Sequence, residues 1–235
     1  MAIIEIRELV KRFGTVEAVS GLSFDVEQGS VTGFLGANGA GKTTTLRTLL
    51  GLVSATSGTA HINGRPYAGL SHPLRQVGAA LETSGFYPGR TARDHLRILA
   101  LAAGVDSSRA DDALDIVDLS SAADRRIGGF SLGMRQRLGL AGALIADPEI
   151  LILDEPANGL DPEGVRWLRD LLRGYAADGG TVLVSSHILA EVAQTVDHVV
   201  IIDHGRLVRQ GSLAGVAGSS DLETTFFNLT HENPR

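Results

Sequence analysis

Short apolar runs alternate along the chain with longer stretches of helical period, which predicts strands interleaved with helices. Residues 3–10 alternate loosely and predict a strand, with Lys11-Arg12-Phe13-Gly14 as the turn that follows. Residues 22–26 predict a second strand. Residues 31–35, apolar nearly throughout, predict a third after the turn-like Gln28-Gly29-Ser30. Residues 44–52 carry Leu46, Leu49 and Leu50 at helical spacing. Two further short strands are expected at 58–62 and 77–81, the first closed by Asn63-Gly64, a strong turn signal.

The pattern changes between about 91 and 146, where Ala- and Leu-rich helical periodicity takes over. Thr91 with Asp94 three residues on reads as a helix start, and Ile98, Leu99 and Leu101 are expected on that helix's apolar side. A second amphipathic helix is expected at 111–119. A third is expected from near Ser131 to Ala146, stopped by Asp147-Pro148. Beyond it come a buried-strand run at 150–153, a helix at 164–175, a strand at 181–184 and a helix at 187–194. A closing hairpin is expected around His204-Gly205, and a short tail helix is expected to dock through Leu222, Phe226, Phe227 and Leu229. Strands separated by helices imply an α/β fold with a mostly parallel sheet covered on both faces.

Composition narrows the functional classes. The 235 residues suit one large domain or a domain with an inserted subdomain, and 43% apolar content supplies a full core. The formal net charge of −6 argues against an electrostatically driven nucleic-acid binder, so no nucleic-acid partner is expected. With no cysteine, disulfides and Cys-based metal sites are excluded. Neither a signal peptide nor a run of 18 apolar residues is recognisable, so a cytoplasmic chain is expected, one needing a spanning partner to act at a membrane.

The stretch that organises the chain is Gly36-Ala37-Asn38-Gly39-Ala40-Gly41-Lys42-Thr43, followed by Thr44. It reads G-x-x-x-x-G-K-T between a predicted strand and a predicted helix, the setting of a phosphate-binding loop. Glycines let the backbone wrap a phosphate chain, and the helix start adds its positive dipole end. Lys42 suits β and γ phosphates, and the Thr43 hydroxyl suits Mg²⁺. Asp154-Glu155 at the end of the 150–153 run is a second signature. One carboxylate there suits Mg²⁺, and its neighbour suits a base that polarises water for attack on a γ phosphate.

With these two signatures the sequence resembles the ATP-binding subunit of an ABC transporter, over nearly its whole length. Phe130-Ser131-Leu132-Gly133-Met134 with Gln136-Arg137 resembles the signature motif, Asn158-Gly159-Leu160-Asp161 the D-loop, and Ser185-Ser186-His187 the switch-histidine loop. The resemblance implies a P-loop NTPase core with an N-terminal antiparallel β subdomain. It implies a single ATPase domain over 1–220, an inserted helical subdomain at 83–146 and a C-terminal tail at 221–235. ATP and Mg²⁺ are the implied cofactors.

By the same resemblance, Phe13 stacks on adenine, though a core residue at a strand end fits the same position. Ser131 and Gly133 face the γ phosphate held by a second subunit, and Ser131 also suits a helix cap. Asp161 couples the two sites of a head-to-tail dimer, or is simply a turn residue before Pro162. His187 contacts the γ phosphate and orients the water or Glu155. The chain departs from the family at Phe130, Leu132, Met134 and above all Glu82, where glutamine is usual; Glu82 can still reach Mg²⁺ or its water. Glu82 and the residues after it, with the Phe226-to-Thr230 tail, resemble bacitracin- and lantibiotic-type exporters. The implied partners are a membrane-spanning permease and a second ATP-binding subunit, with the chain peripheral on the cytoplasmic face of the membrane. The rival readings are a soluble ABC-type ATPase acting on ribosomes, DNA or iron–sulfur assembly, and a nucleotide sensor that does not hydrolyse.

Overall fold

The structure, a computed structural model, describes residues 2–81, 85–218 and 221–231. In chain order the strands are β1 (Ala2–Phe13), β2 (Val16–Glu27), β3 (Val31–Leu35), β4 (Ser57–Ile62), β5 (Val77–Ala80), β6 (Ile150–Asp154), β7 (Thr181–Ser186), β8 (His198–Asp203) and β9 (Arg206–Ser212). The helices are α1 (Lys42–Leu49), α2 (Pro73–Gln76), α3 (Ala92–Ala103), α4 (Arg109–Ile116), α5 (Leu132–Leu144), α6 (Pro162–Ala177), α7 (Leu189–Val192), α8 (Leu213–Ala217) and α9 (Leu222–His231). The chain divides into two compact units, one of Met1–Ser71 with Arg169–Arg235, the other of His72–Leu168.

The first unit contains two sheets. Strands β2, β1 and β4 lie antiparallel in that order, the expected N-terminal β subdomain. Strands β7, β3 and β8 run parallel, with β9 antiparallel on β8. Every residue of β3 and β7 is buried, so neither shows the apolar–polar alternation of a half-exposed strand. The rings of Phe24 and Phe34 meet at 5.2 Å between centroids and join β2 to β3. Reciprocal bonds pin the start of β8 to β3. The Val31 N–H donates to Asp197 Oδ2 at 2.9 Å, and the Asp197 N–H donates to the Val31 carbonyl at 2.8 Å.

The second unit pairs β5 and β6 in parallel, with α2 and α5 packed against β5. The Thr91 hydroxyl caps α3 by accepting from the Asp94 N–H at 3.1 Å, as its spacing predicts. Arg93 ties this helix to Asp111 and Asp124. On α5, the Arg137 guanidinium donates to the Val117 carbonyl at 3.0 Å and to Asp118 Oδ2 at 2.9 Å, and lies 4.1 Å from the ring centre of Trp167.

Four expectations need correction. Residues Lys11, Arg12 and Phe13 continue β1, and the turn is Gly14-Thr15. Register shifts in the β1–β2 ladder bend the strand and let its polar end stay paired. The buried stripe of α3 is Ala92, Leu96, Ala100 and Ala103, while Ile98 and Leu101 are exposed. His187 stands before α7, which covers only Leu189–Val192. In the tail, Leu222 is buried but Phe227 is exposed.

Candidate nucleotide-binding and hydrolysis site

Parallel pairing decides which loops share an end of the first unit's sheet. Leu35 on β3 lies opposite Ser186 on β7 and Ile201 on β8. The phosphate loop, His187 and the Asp203-His204-Gly205-Arg206 turn therefore leave three adjacent strands at the same carboxyl edge. That edge is where open α/β sheets bind ligands.

The loop backbone is held tightly. Gly41 has φ of 103° and stands as the N-cap of α1 without a side-chain cap, leaving that helix end to the loop and to an anion. A Cβ at Gly41 would lie 2.5 Å from the Ala18 carbonyl oxygen, so glycine is required for space as well as conformation. Lys42 is 6% exposed, and its Nζ donates to the Gly36 carbonyl at 2.6 Å and the Ala37 carbonyl at 3.4 Å. The ammonium thus folds back under Gly36, Ala37, Asn38, Gly39 and Ala40, the strip that would wrap a phosphate chain. Thr43 and Thr44 follow in the first turn of α1.

Phe13 is 51% exposed, with the Lys11 ammonium 4.7 Å from its ring centre. The side chain is therefore half-exposed, with one face of its ring under the Lys11 ammonium.

In the second unit, Ala80 on β5 lies opposite Leu153 on β6, so Leu81 and Asp154-Glu155 emerge at one end. Asp154 and Glu155 are both buried, and Glu155 takes a φ of 50° that turns the chain sharply after the strand. Glu82 lies outside the described residues. Ser131 caps α5, its hydroxyl accepting from the Met134 N–H at 3.2 Å. Asp161 Oδ1 accepts from the Gly164 N–H at 2.8 Å, with Pro162 next in sequence at the start of α6. Gly133 abuts the Asn158-to-Asp161 loop, since a Cβ there would come 3.1 Å from the Gly159 carbonyl oxygen.

The donor chemistry fits Mg²⁺. Thr43 and Asp154 offer hard oxygens, and no cluster of three or more His, Asp or Glu is present among the described residues. Mg²⁺ takes one or two protein oxygens, with water and phosphate completing its shell, so it needs no all-protein cage.

Sequence reasoning noted the His204-Gly205 turn but missed its contact. The Gly205 N–H donates to the Ala40 carbonyl at 2.9 Å, and the Gly205 carbonyl accepts from the Ser20 N–H at 2.9 Å. The turn thus ties the phosphate loop to β2. In the sequence only a glycine after His204 hints at this; in the fold it takes a φ of 76°.

Comparison with known proteins agrees with this geometry. A family profile described as ABC transporter matches residues 19–158. The chain is 46% identical over 211 residues to the bacitracin transport ATP-binding protein BcrA of Bacillus licheniformis, covering 88% of this chain and 69% of that protein. It is 36% identical over 225 residues to the lantibiotic transport ATP-binding protein SrtF of Streptococcus pyogenes, covering 96% of each. Among solved structures, an ATP-binding subunit of an ABC transporter superposes with a TM-score of 0.87 at 29% identity, covering 97% of this chain and 99% of that one. The cbiO1 protein of Clostridium perfringens, part of the cbiONQ transporter complex, gives a TM-score of 0.80 at 25% identity, covering 98% of this chain and 96% of that one. The chain belongs to the ABC transporter family, as an ATP-binding subunit whose ATP hydrolysis is coupled to transport.

Proposed function

We propose that the chain powers a membrane-spanning exporter of a drug, an antibiotic peptide or a similar compound. The similarity to bacitracin and lantibiotic transport proteins over most of the chain carries this reading and favours it over a ribosomal or nucleic-acid role. No helix among the described residues is long and apolar enough to cross a membrane. A membrane-spanning permease subunit would supply the path for cargo. The chain would sit peripherally on the cytoplasmic face through that partner. Residues 83–146 would form the inserted helical subdomain, within the 1–220 ATPase domain, and residues 221–235 its tail.

The reaction is phosphoryl transfer to water, in which positioning and charge stabilisation do most of the catalysis. Phe13 would meet adenine, the loop from Gly36 to Thr44 would hold the phosphates, and His187 would orient the attacking water. Lys42 spreads the charge that develops on the transferred phosphoryl group. Glu155 would act as the base that takes a proton from water, and Asp161 would couple one site of the dimer to the other. Thr43, Asp154 and Glu82 would hold Mg²⁺, which neutralises phosphate charge when bound. Ser131 and Gly133 would meet the nucleotide of a second ATP-binding subunit, identical or different, so that ATP closes the pair and hydrolysis reopens it.

Partner capture tests the proposal. A tagged Glu155→Gln chain, expressed in its native cell and recovered from membranes in mild detergent, should bring down a multi-span membrane protein in stoichiometric yield. Recovery only from the soluble fraction, with ribosomal or DNA-associated proteins, would overturn it.

A further inference from the structure

We propose that Leu132 is a positioning residue that clamps the loop from Asn158 to Asp161 onto the start of α5. The two segments then reach an opposing subunit as one surface. The inference rests on the reading that Ser131, Gly133 and Asp161 face that subunit.

Ser131 fixes the first turn of α5 through its bond from the Met134 N–H, and so fixes where Leu132 points. Leu132 is 60% exposed, and part of its covered surface lies on Gly159. A Cβ built on Gly159 would overlap Cδ2 and Cγ of Leu132, and would lie 3.2 Å from its Cβ. Gly159 also holds a φ of 80°, so both space and backbone demand glycine there. The next residue, Gly133, closes the other side against the Gly159 carbonyl and the Leu160 side chain. Two successive residues of α5 thus bracket one glycine of the loop.

The bracketed loop leads back to the proposed base. The Asn158 N–H donates to the Glu155 carbonyl at 3.1 Å, and the Leu160 N–H donates to the Ala157 carbonyl at 3.1 Å. Displacement of α5 at Leu132 is therefore passed through Gly159 to the turn that begins at Glu155. A glycine in place of Leu132 would leave only the Gly133 side of this bracket.

Leu132→Ala tests the clamp, because alanine keeps the helix start while removing the overlapping atoms. Loss of a partial leucine contact should speed hydrogen exchange at the Asn158 and Leu160 amides by about threefold to tenfold. It should lower kcat about threefold or more, with KM for ATP within about twofold. Leu132→Met should return both values toward those of the unaltered chain. Unchanged exchange at Asn158 and Leu160 would overturn the clamp, and faster exchange with unchanged kcat would overturn its part in turnover. Failure of the opposing-subunit reading would show separately, as a Ser131→Arg, Glu155→Gln chain that still forms an ATP-dependent dimer.

Discussion

The Gly205 N–H donates to the Ala40 carbonyl across 2.9 Å, linking the β8–β9 turn to the phosphate loop 165 residues earlier in the chain (205 less 40). The backbone of the phosphate loop is thereby held at Ala40. The same glycine accepts from Ser20, so β2, the phosphate loop and the turn share one residue.

Gly205→Val should weaken ATP binding about tenfold or more, since small misplacements of a preorganised site cost that much. A Cβ at Gly205 would lie 2.8 Å from both the Ala18 carbonyl oxygen and Val19 Cα. Gly104→Ala is the matched control, with φ of 67° and open space around its Cβ. It should cost about 1–2 kcal/mol of stability through backbone strain alone and leave ATP affinity unchanged. Nucleotide titration beside thermal melting separates the two outcomes.

Phe13→Ala should raise KM for ATP several-fold while leaving the melting temperature nearly unchanged, because the half-exposed ring contributes little to the core. Phe13→Trp should restore KM. A large drop in melting temperature would return Phe13 to a packing role.

Glu155→Gln should lower kcat by about a hundredfold or more while ATP still binds, the size expected for removing a general base. The substitution preserves side-chain shape at a buried position with a φ of 50°. Chelation of Mg²⁺ should abolish turnover in the unaltered chain, and Asp154→Asn should raise the Mg²⁺ concentration needed for half-maximal rate.

Burial, helped by the charge of Arg90, holds the His95 imidazole below its usual range. Its Nδ1 is buried without a hydrogen-bond partner, and its ring meets Phe86 edge-on at 5.1 Å between centroids. The folded state therefore keeps His95 neutral where the unfolded chain takes up a proton. This contribution to stability is complete above the unfolded value of about 6.5 and is lost as pH falls from there through the lowered folded value. Melting curves from pH 8 to 5 should show this acid loss, and His95→Phe should flatten it while keeping the ring contact.

Strands β3 and β6 were legible because burial on both faces leaves a nearly continuous apolar run, and the turn at Asn63-Gly64 because both residues take positive φ. The buried face of α3 was not. Its stripe includes Ala92, Ala100 and Ala103, small side chains with a weak hydropathy signal, whereas the more apolar Ile98 and Leu101 face outward. The end of β1 was misread because Lys11 and Arg12 look like turn residues, although pairing with β2 depends on backbone groups that no side chain reveals. The same reason hides the Gly205 brace and the Leu132–Gly159 contact. Both join residues far apart in sequence through backbone or through the absence of a side chain. The phosphate-loop motif was visible because one short segment contains all its residue types.

The stack of Arg137 on Trp167 has a spectroscopic consequence. Trp167 is the chain's single tryptophan, so its emission comes from one known place. Its half-buried indole carries a guanidinium from α5 on its face, a charge that shifts the emission of the ring beneath it. Any nucleotide-driven movement of α5 against the start of α6 would change that charge's distance and orientation. The unlabelled protein thus carries its own optical gauge for the helix that begins with Leu132 and Gly133.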